Sequence, residues 1–312
     1  MTAFLLRRLA AGALTLLAIA TLCFAMTRLA PGSPFTSERT VHPEILRNFE
    51  RHYGLDRPLP VQYARALWGY LRGDLGPSMW YRDLSCNDIV WPGFRNSLVL
   101  GLLGAVLAFL IGLPLGILAA AHQNRWPDHA AMTVSIVGIC VPNFLLGPLL
   151  VLLFSTTLGW LPAGRWPEDW TRLSELRKLL LPALTLAMVH AAYISRLGRA
   201  GMLDVLLRDY IRTARAKGLP ERTVFLKHAL KNGITPVLSY AGPMIAYLVT
   251  GSIVVETVFA LPGLGQHFVT SAVNRDMPLL MACVLVYSTV VIAMNLAVDA
   301  LYGILDPRVR VS

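Results

Sequence analysis

Six stretches of the chain are long enough to cross a bilayer and contain no Asp, Glu, Lys or Arg: Leu9–Thr27, Asn96–Ala121, Ala130–Gly159, Leu179–Ser195, Gly233–Val255 and Met277–Val298. A spanning helix needs about 20 consecutive apolar residues. Composition agrees with a membrane protein. The chain is 55% hydrophobic and only 15% charged, against about a quarter charged for an ordinary soluble domain. The expectation is an all-α polytopic membrane protein with six spans and a single membrane domain over residues 1–312. A cleaved signal peptide is the alternative for the first run. That run is long for one, and Thr27-Arg28 ends it without a small-residue cleavage site.

The net charge of +10 is carried by segments between the apolar runs, which points to membrane topology rather than to nucleic acid. With the N-terminus placed inside, Lys plus Arg is tied at 14 inside and 14 outside. Long translocated segments are exempt from the positive-inside bias. Setting aside 28–95, with its nine arginines, leaves 14 inside against 5 outside, so both termini are expected in the cytoplasm. Segment 28–95 reads as a small helical cap on the outer mouth. It has a helical stretch near Glu44–His52, turn signals at Gly54 and Pro58-Leu59-Pro60, and an amphipathic run, Val61–Leu71, with Tyr63, Leu67, Trp68 and Leu71 on one face.

The chain offers little chemistry of its own. Its four cysteines form no metal-binding or disulfide pattern. The span serines Ser135, Ser195, Ser252 and Ser288 lie in no nucleophile elbow, which argues against an intramembrane hydrolase. His190 is the mid-span ionisable residue; a hydrogen bond between helices is the ordinary reading and a proton relay the alternative. Glu256 reads as an interface residue at a span end. None of the four lysines follows a glycine, so no P-loop exists and no ATP site is expected. Any uphill transport must draw energy from another subunit. Prolines and glycines in the runs, Pro114, Pro142, Pro148 and Pro243 among them, suit bent helices around a pathway.

The segment 196–232 is the most informative. Asp204–Lys217 reads as a helix capped by Asp204, with Gly218 as its left-handed stop and Pro220-Glu221 opening a second helix that ends near Asn232-Gly233. Ala200, Ala214 and Ala216 keep the surface low, Leu207 and Ile211 supply apolar contact, and Arg208, Arg212 and Arg215 supply charge. Such an elbow suits a groove on a partner; a positive loop touching anionic lipid is the other reading.

The run Tyr210-Ile211-Arg212-Thr213-Ala214-Arg215-Ala216-Lys217-Gly218-Leu219, followed by His228-Ala229-Leu230-Lys231-Asn232, resembles the cytoplasmic loop of permease subunits of ABC importers, in the form of the peptide/nickel branch. Arg212 stands where the general motif has glutamate, a departure that fits this branch. Matching pieces recur in order along nearly the whole chain: Arg28-Leu29-Ala30-Pro31-Gly32, Gly73-Asp74-Leu75-Gly76 with Ser78, Pro262-Gly263-Leu264-Gly265, Arg275-Asp276 and Asp306-Pro307-Arg308. The resemblance implies the type I importer permease fold in a bacterial inner membrane. It implies half of a translocation pathway for oligopeptides or dipeptides, or else for nickel or another small ligand. It also implies a second homologous permease, two cytoplasmic ATPases that bind the ATP, and an extracytoplasmic binding protein. Its coupling residues would be Asp209, Tyr210, Arg212, Thr213, Ala214, Arg215, Ala216, Lys217 and Gly218, within a loop helix spanning 204–220.

Overall fold

The computed structural model describes residues 2–29, 51, 53–81, 83–250 and 252–305, with side chains described between residues 6 and 297. The helical stretch expected near Glu44–His52 lies almost wholly outside the described residues. In chain order the helices are α1 (Thr2–Leu29), α2 (Leu59–Leu71), α3 (Cys86–Ala121), α4 (Trp126–Cys140), α5 (Asn143–Leu150), α6 (Leu173–Leu176), α7 (Leu180–Leu206), α8 (Asp209–Ala216), α9 (Glu221–Thr223), α10 (Leu230–Gly233), α11 (Thr235–Thr250), α12 (Ile253–Val258), α13 (Leu264–Val273) and α14 (Met277–Leu305). Among the described residues there is no strand, only an isolated bridge between Pro77 and Ser85.

Among the described residues, five helical segments are long and apolar enough to cross a membrane, and α4 with the α5 segment makes a sixth if that bent pair is one span. The pair bends by 112° at Val141-Pro142. Pro142 has no N–H to continue the α4 ladder, and its extended backbone starts α5 afresh. Beyond α5 the chain loosens into a π-helix over Val151–Thr157, after Pro148 removes another backbone donor.

The chain divides into two compact units. The first comprises residues 1–97 and 262–312. Its core gathers Leu75, Ile89, Val90, Leu264, Leu279 and Cys283. Cys86, which opens α3 ten residues before the charge-free run begins, is fully buried in this core. In the same unit the buried Asp276 carboxylate accepts hydrogen bonds from the Ser78 hydroxyl and from the backbone N–H groups of Met79 (3.1 Å), Trp80 (3.2 Å) and Leu279 (3.3 Å). A carboxylate that collects several donors repays its desolvation, so one side chain ties the loop before α3 to the first turn of α14. On α2 the inward face differs from the expected stripe. Tyr63 packs edge-on against Phe24, whereas Trp68 and Leu71 are exposed, with Arg72 lying over the Trp68 ring.

The second unit, residues 98–261, is built on α7. Its core joins Leu100, Leu181, Leu186, Ile194, Met244 and Leu248. α3 meets α7 through small residues: a Cβ on Gly112 would lie 2.4 Å from the Ala191 carbonyl oxygen, and one on Gly116 2.5 Å from that of Ser195. Backbones that approach so closely exclude any larger side chain. α4 is fastened to α7 by a bidentate pair, with Arg199 Nε and Nη2 2.6 and 2.7 Å from the two Asp128 oxygens. Glu256, two residues from the end of the candidate span 235–258, is fully buried, within hydrogen-bonding reach of the Ser252 hydroxyl, itself buried.

Candidate functional site

The sequence places its candidate residues between α7 and α11, and the structure builds an elbow there. α7 does not stop at the end of its charge-free run. Gly198, Gly201, Met202 and Val205 continue its buried face, and the helix ends at Leu206. Asp204 therefore sits in the last turns of α7 instead of capping a new helix. Its carboxylate receives Arg208 Nη2 at 2.8 Å, which holds the guanidinium pKa above its ordinary value. Arg208 turns extended, and α8 begins at Asp209, not at Asp204 as the sequence suggests. The physical reason is continuity of burial: α7 still has core to cover where a charge-based boundary would stop it.

α8 is short, two turns, and isolated helices of that length do not persist in water. It is held by what it buries. Ile211 is inaccessible and Ala214 nearly so, and both enter a small core with Met202, Val205, Val224 and Ala229. The end of α8 is closed in the manner of a Schellman motif. Gly218 adopts φ +73°, its N–H donates to the Arg215 carbonyl at 2.9 Å, and the Leu219 N–H donates to the Ala214 carbonyl at 3.4 Å. Leu219 then packs on the same core. Two polar links close the return limb: Arg215 Nε to Glu221 at 2.8 Å, and the Asn232 amide to the Tyr210 hydroxyl at 3.0 Å. The return limb is α9, a π-turn over Val224–Ala229, and α10, whose Gly233 backbone lies directly against Gly201.

This geometry sorts the nine candidate residues into two groups. Ala214 faces inward and seats the helix. Asp209, Tyr210, Arg212, Thr213, Arg215, Ala216, Lys217 and Gly218 are exposed. The two apolar residues grouped by sequence also part company, Ile211 being buried and Leu207 74% exposed. The outer surface is thus cationic and low, with Leu207 and Tyr210 as its apolar points. Sequence reasoning missed the Asp128–Arg199 clamp near the root of the elbow. The partners lie 71 positions apart with no shared motif, so nothing in one sequence announces them.

Helices long and apolar enough to span a membrane, with a compact, surface-charged elbow between two of them, define a class: an integral membrane protein. The chain belongs to the binding-protein-dependent transport system inner membrane component family, whose model matches residues 112–311; residues 1–88 match the N-terminal membrane-component model of the same systems. It is 43% identical over 310 residues to the oligopeptide transport system permease protein OppB of Escherichia coli K12, covering 99% of this chain and 100% of that one. It is 40% identical over 310 residues to the dipeptide transport system permease protein DppB of Bacillus subtilis, covering 99% and 98%. Among solved structures, the MetNI methionine ABC transporter in inward-facing conformations matches with a TM-score of 0.57 at 16% identity, over 69% of this chain and 95% of that one. An amino acid ABC transporter matches with a TM-score of 0.51 at 17% identity, over 67% and 91%. These likenesses show the fold, that of a type I importer permease.

Proposed function

We propose that the chain is one permease subunit of an ATP-driven importer of short peptides. It forms half of the pathway with a second, homologous permease. Two cytoplasmic ATPases bind and hydrolyse the ATP, and an extracytoplasmic binding protein delivers the peptide. Both termini and the elbow face the cytoplasm. The observation that carries the reading is the division of labour in the elbow: Ile211 and Ala214 are buried while Arg212, Arg215 and Lys217 project outward. A helix anchored from within and charged without suits a cleft on a partner of complementary charge. The names of its relatives supply the peptide class.

In this reading, closure of the ATPases tilts α8, and the elbow passes the tilt to α7 through the Ile211 and Met202 packing. The 112° break at Pro142 and the π-turns are where the bundle has freedom to respond. The test is reconstitution of the permease pair and ATPases with the binding protein. Labelled tripeptide uptake should require ATP and all partners. In the variant Arg212→Glu/Lys217→Glu, ATPase association and uptake should both fall at least tenfold, while membrane insertion stays normal. Undiminished uptake by that variant removes the coupling role from α8. Competition by a nickel chelate but not by peptides would transfer the pathway to the other ligand of the branch.

A further inference from the structure

The second unit holds a cleft of about 560 Å³ beside the bend at Pro142, in the size range of small-molecule sites (about 300–1,000 Å³). It lies among α4, α5, α7 and α11, and its walls are Asn143, His190, Tyr193, Tyr240, Met244 and Tyr247 with a few aliphatic neighbours. The aromatic groups are organised. His190 Nδ1 shares a 2.8 Å hydrogen bond with the Tyr240 hydroxyl. Its ring lies edge-on to Tyr247 at 5.3 Å, and Tyr193 and Tyr240 lie 5.8 Å apart. Tyr247 is 56% exposed and Tyr193 40%. The Asn143 Oδ1 at the head of α5 is buried and has no hydrogen-bond partner.

Their depth is informative. His190 lies near the middle of the charge-free run 179–195 and Tyr247 near the middle of 233–255, whereas Tyr193 lies two residues from the end of its run. Lipid-facing tyrosines collect at the two membrane interfaces, where the hydroxyl meets water. In mid-membrane, hydroxyl, imidazole and amide groups left against hydrocarbon would each lose their hydrogen bonds. Polar side chains at that depth pair with one another, as His190 and Tyr240 do, or face the bundle interior or a watery cavity. A broken helix beside such groups is where transporters place substrates near the midplane. No residue lining the cleft is Asp, Glu, Lys or Arg.

We propose that this cleft is a contact site for the main chain of the transported peptide. This rests on the peptide-importer reading above and goes beyond it by assigning the residues. Tyrosine hydroxyls and the Asn143 amide both donate and accept, as the peptide main chain does, and ring faces receive side chains of any kind. With no fixed charge in the walls, the cleft passes acidic, neutral and basic peptides alike.

The assignment is tested by adding charge after assembly. Tyr247→Cys is made in a Cys140→Ser background, because Cys140 is exposed beside the lining residues Ile139 and Val141. The complete transporter is reconstituted and treated with a methanethiosulfonate carrying either a sulfonate or a trimethylammonium group. Uptake of Ala-Ala-Ala, Ala-Glu-Ala and Ala-Lys-Ala is then compared. Each adduct's uptake ratio is read against that of the untreated variant. The sulfonate adduct should shift the Lys-to-Glu uptake ratio about tenfold upward and the ammonium adduct about tenfold downward, as expected for one charge near the passing ligand. An unreactive thiol overturns the assignment, because the cleft is then covered by the partner permease or sealed. Adducts that slow all three peptides equally, or none, also overturn it. Wild-type complex that takes up none of the three peptides sinks the peptide reading itself, whereas wild-type uptake with unselective adducts sinks the site alone.

Discussion

The seam between α3 and α7 and the elbow that follows α7 both depend on glycine, for opposite reasons. In the seam the glycines are there for want of volume: beyond Gly112 and Gly116 stand carbonyl groups of α7, which cannot move aside as a side chain can. In the elbow Gly218 has nothing within 4 Å of where a Cβ would be, and what it supplies is a positive φ. The seam is therefore fixed by backbone against backbone. The elbow is fixed by one conformation and a few apolar side chains, with its outer face under little constraint. In the proposed reading, a movement imposed on the elbow would pass to a part of the molecule that resists deformation.

The contrast breaks first at the seam. Gly112→Val should cost about 3 kcal/mol, the top of the usual range for overpacking, since the added Cβ overlaps a backbone carbonyl of α7. The measurement is the yield of monodisperse subunit and the midpoint of an unfolding titration in mixed micelles; a wild-type midpoint would show the seam to be soft. Arg199→Ala should come next, at about 3 kcal/mol, because it leaves the Asp128 carboxylate buried without its partner. Most of that loss should return in Asp128→Ala/Arg199→Ala, and a double variant as unstable as the single one would mean that the pair is not a clamp.

Within the elbow the effects shrink and become local. Ile211→Ala should cost about 2 kcal/mol, the low end for a buried aliphatic side chain, because the small core around it can collapse. It should appear as faster protease cleavage between residues 206 and 221 with the spanning helices intact. Gly218→Ala should cost about 1 kcal/mol for forcing a Cβ into the left-handed region. Gly218→Asn should cost less, since asparagine visits that region more readily. Equal losses for the two would mean that the position is limited by space instead of conformation, and the comparison with the seam would lose its basis.

What was legible in the sequence follows the same division. The spans were readable because a membrane leaves an unbroken apolar record, and Gly218-Leu219-Pro220 was readable because its stop signal is local. The boundary at Asp204 was misread because α7 is prolonged by tertiary burial of Met202 and Val205, which no local signal reports. Ala214 was grouped with surface residues for the same reason: small size fits a docking face and a tight core equally well. The Asp128–Arg199 clamp and the cleft beside Pro142 are assembled from residues far apart in the chain, so a single sequence carries no record of them. Ser78 and Asp276 appeared only as separate matches in order, and the structure joins them in one hydrogen-bonded staple.

The smallest expected effect on folding is the most telling for function. Arg212 is exposed, and its contact with Asp209, at 3.8 Å, joins two largely exposed side chains. Exposed ion pairs of this kind contribute little, so Arg212→Ala should leave the unfolding midpoint within about 0.5 kcal/mol of wild type. If α8 docks on an ATPase, the same substitution should weaken assembly measurably, because its partner carboxylate would lose a charge-assisted hydrogen bond worth more than the neutral kind. Arg212→Lys should recover part of the loss, since charge is restored but the planar fork is not. Co-purification of the ATPases, measured against the unchanged folding midpoint, separates the two contributions. Equal ATPase recovery from wild type, Arg212→Ala and Arg212→Lys would place the docking contacts on Leu207 and Tyr210, the apolar points of the same surface, and the elbow would then engage its partner by shape in place of charge.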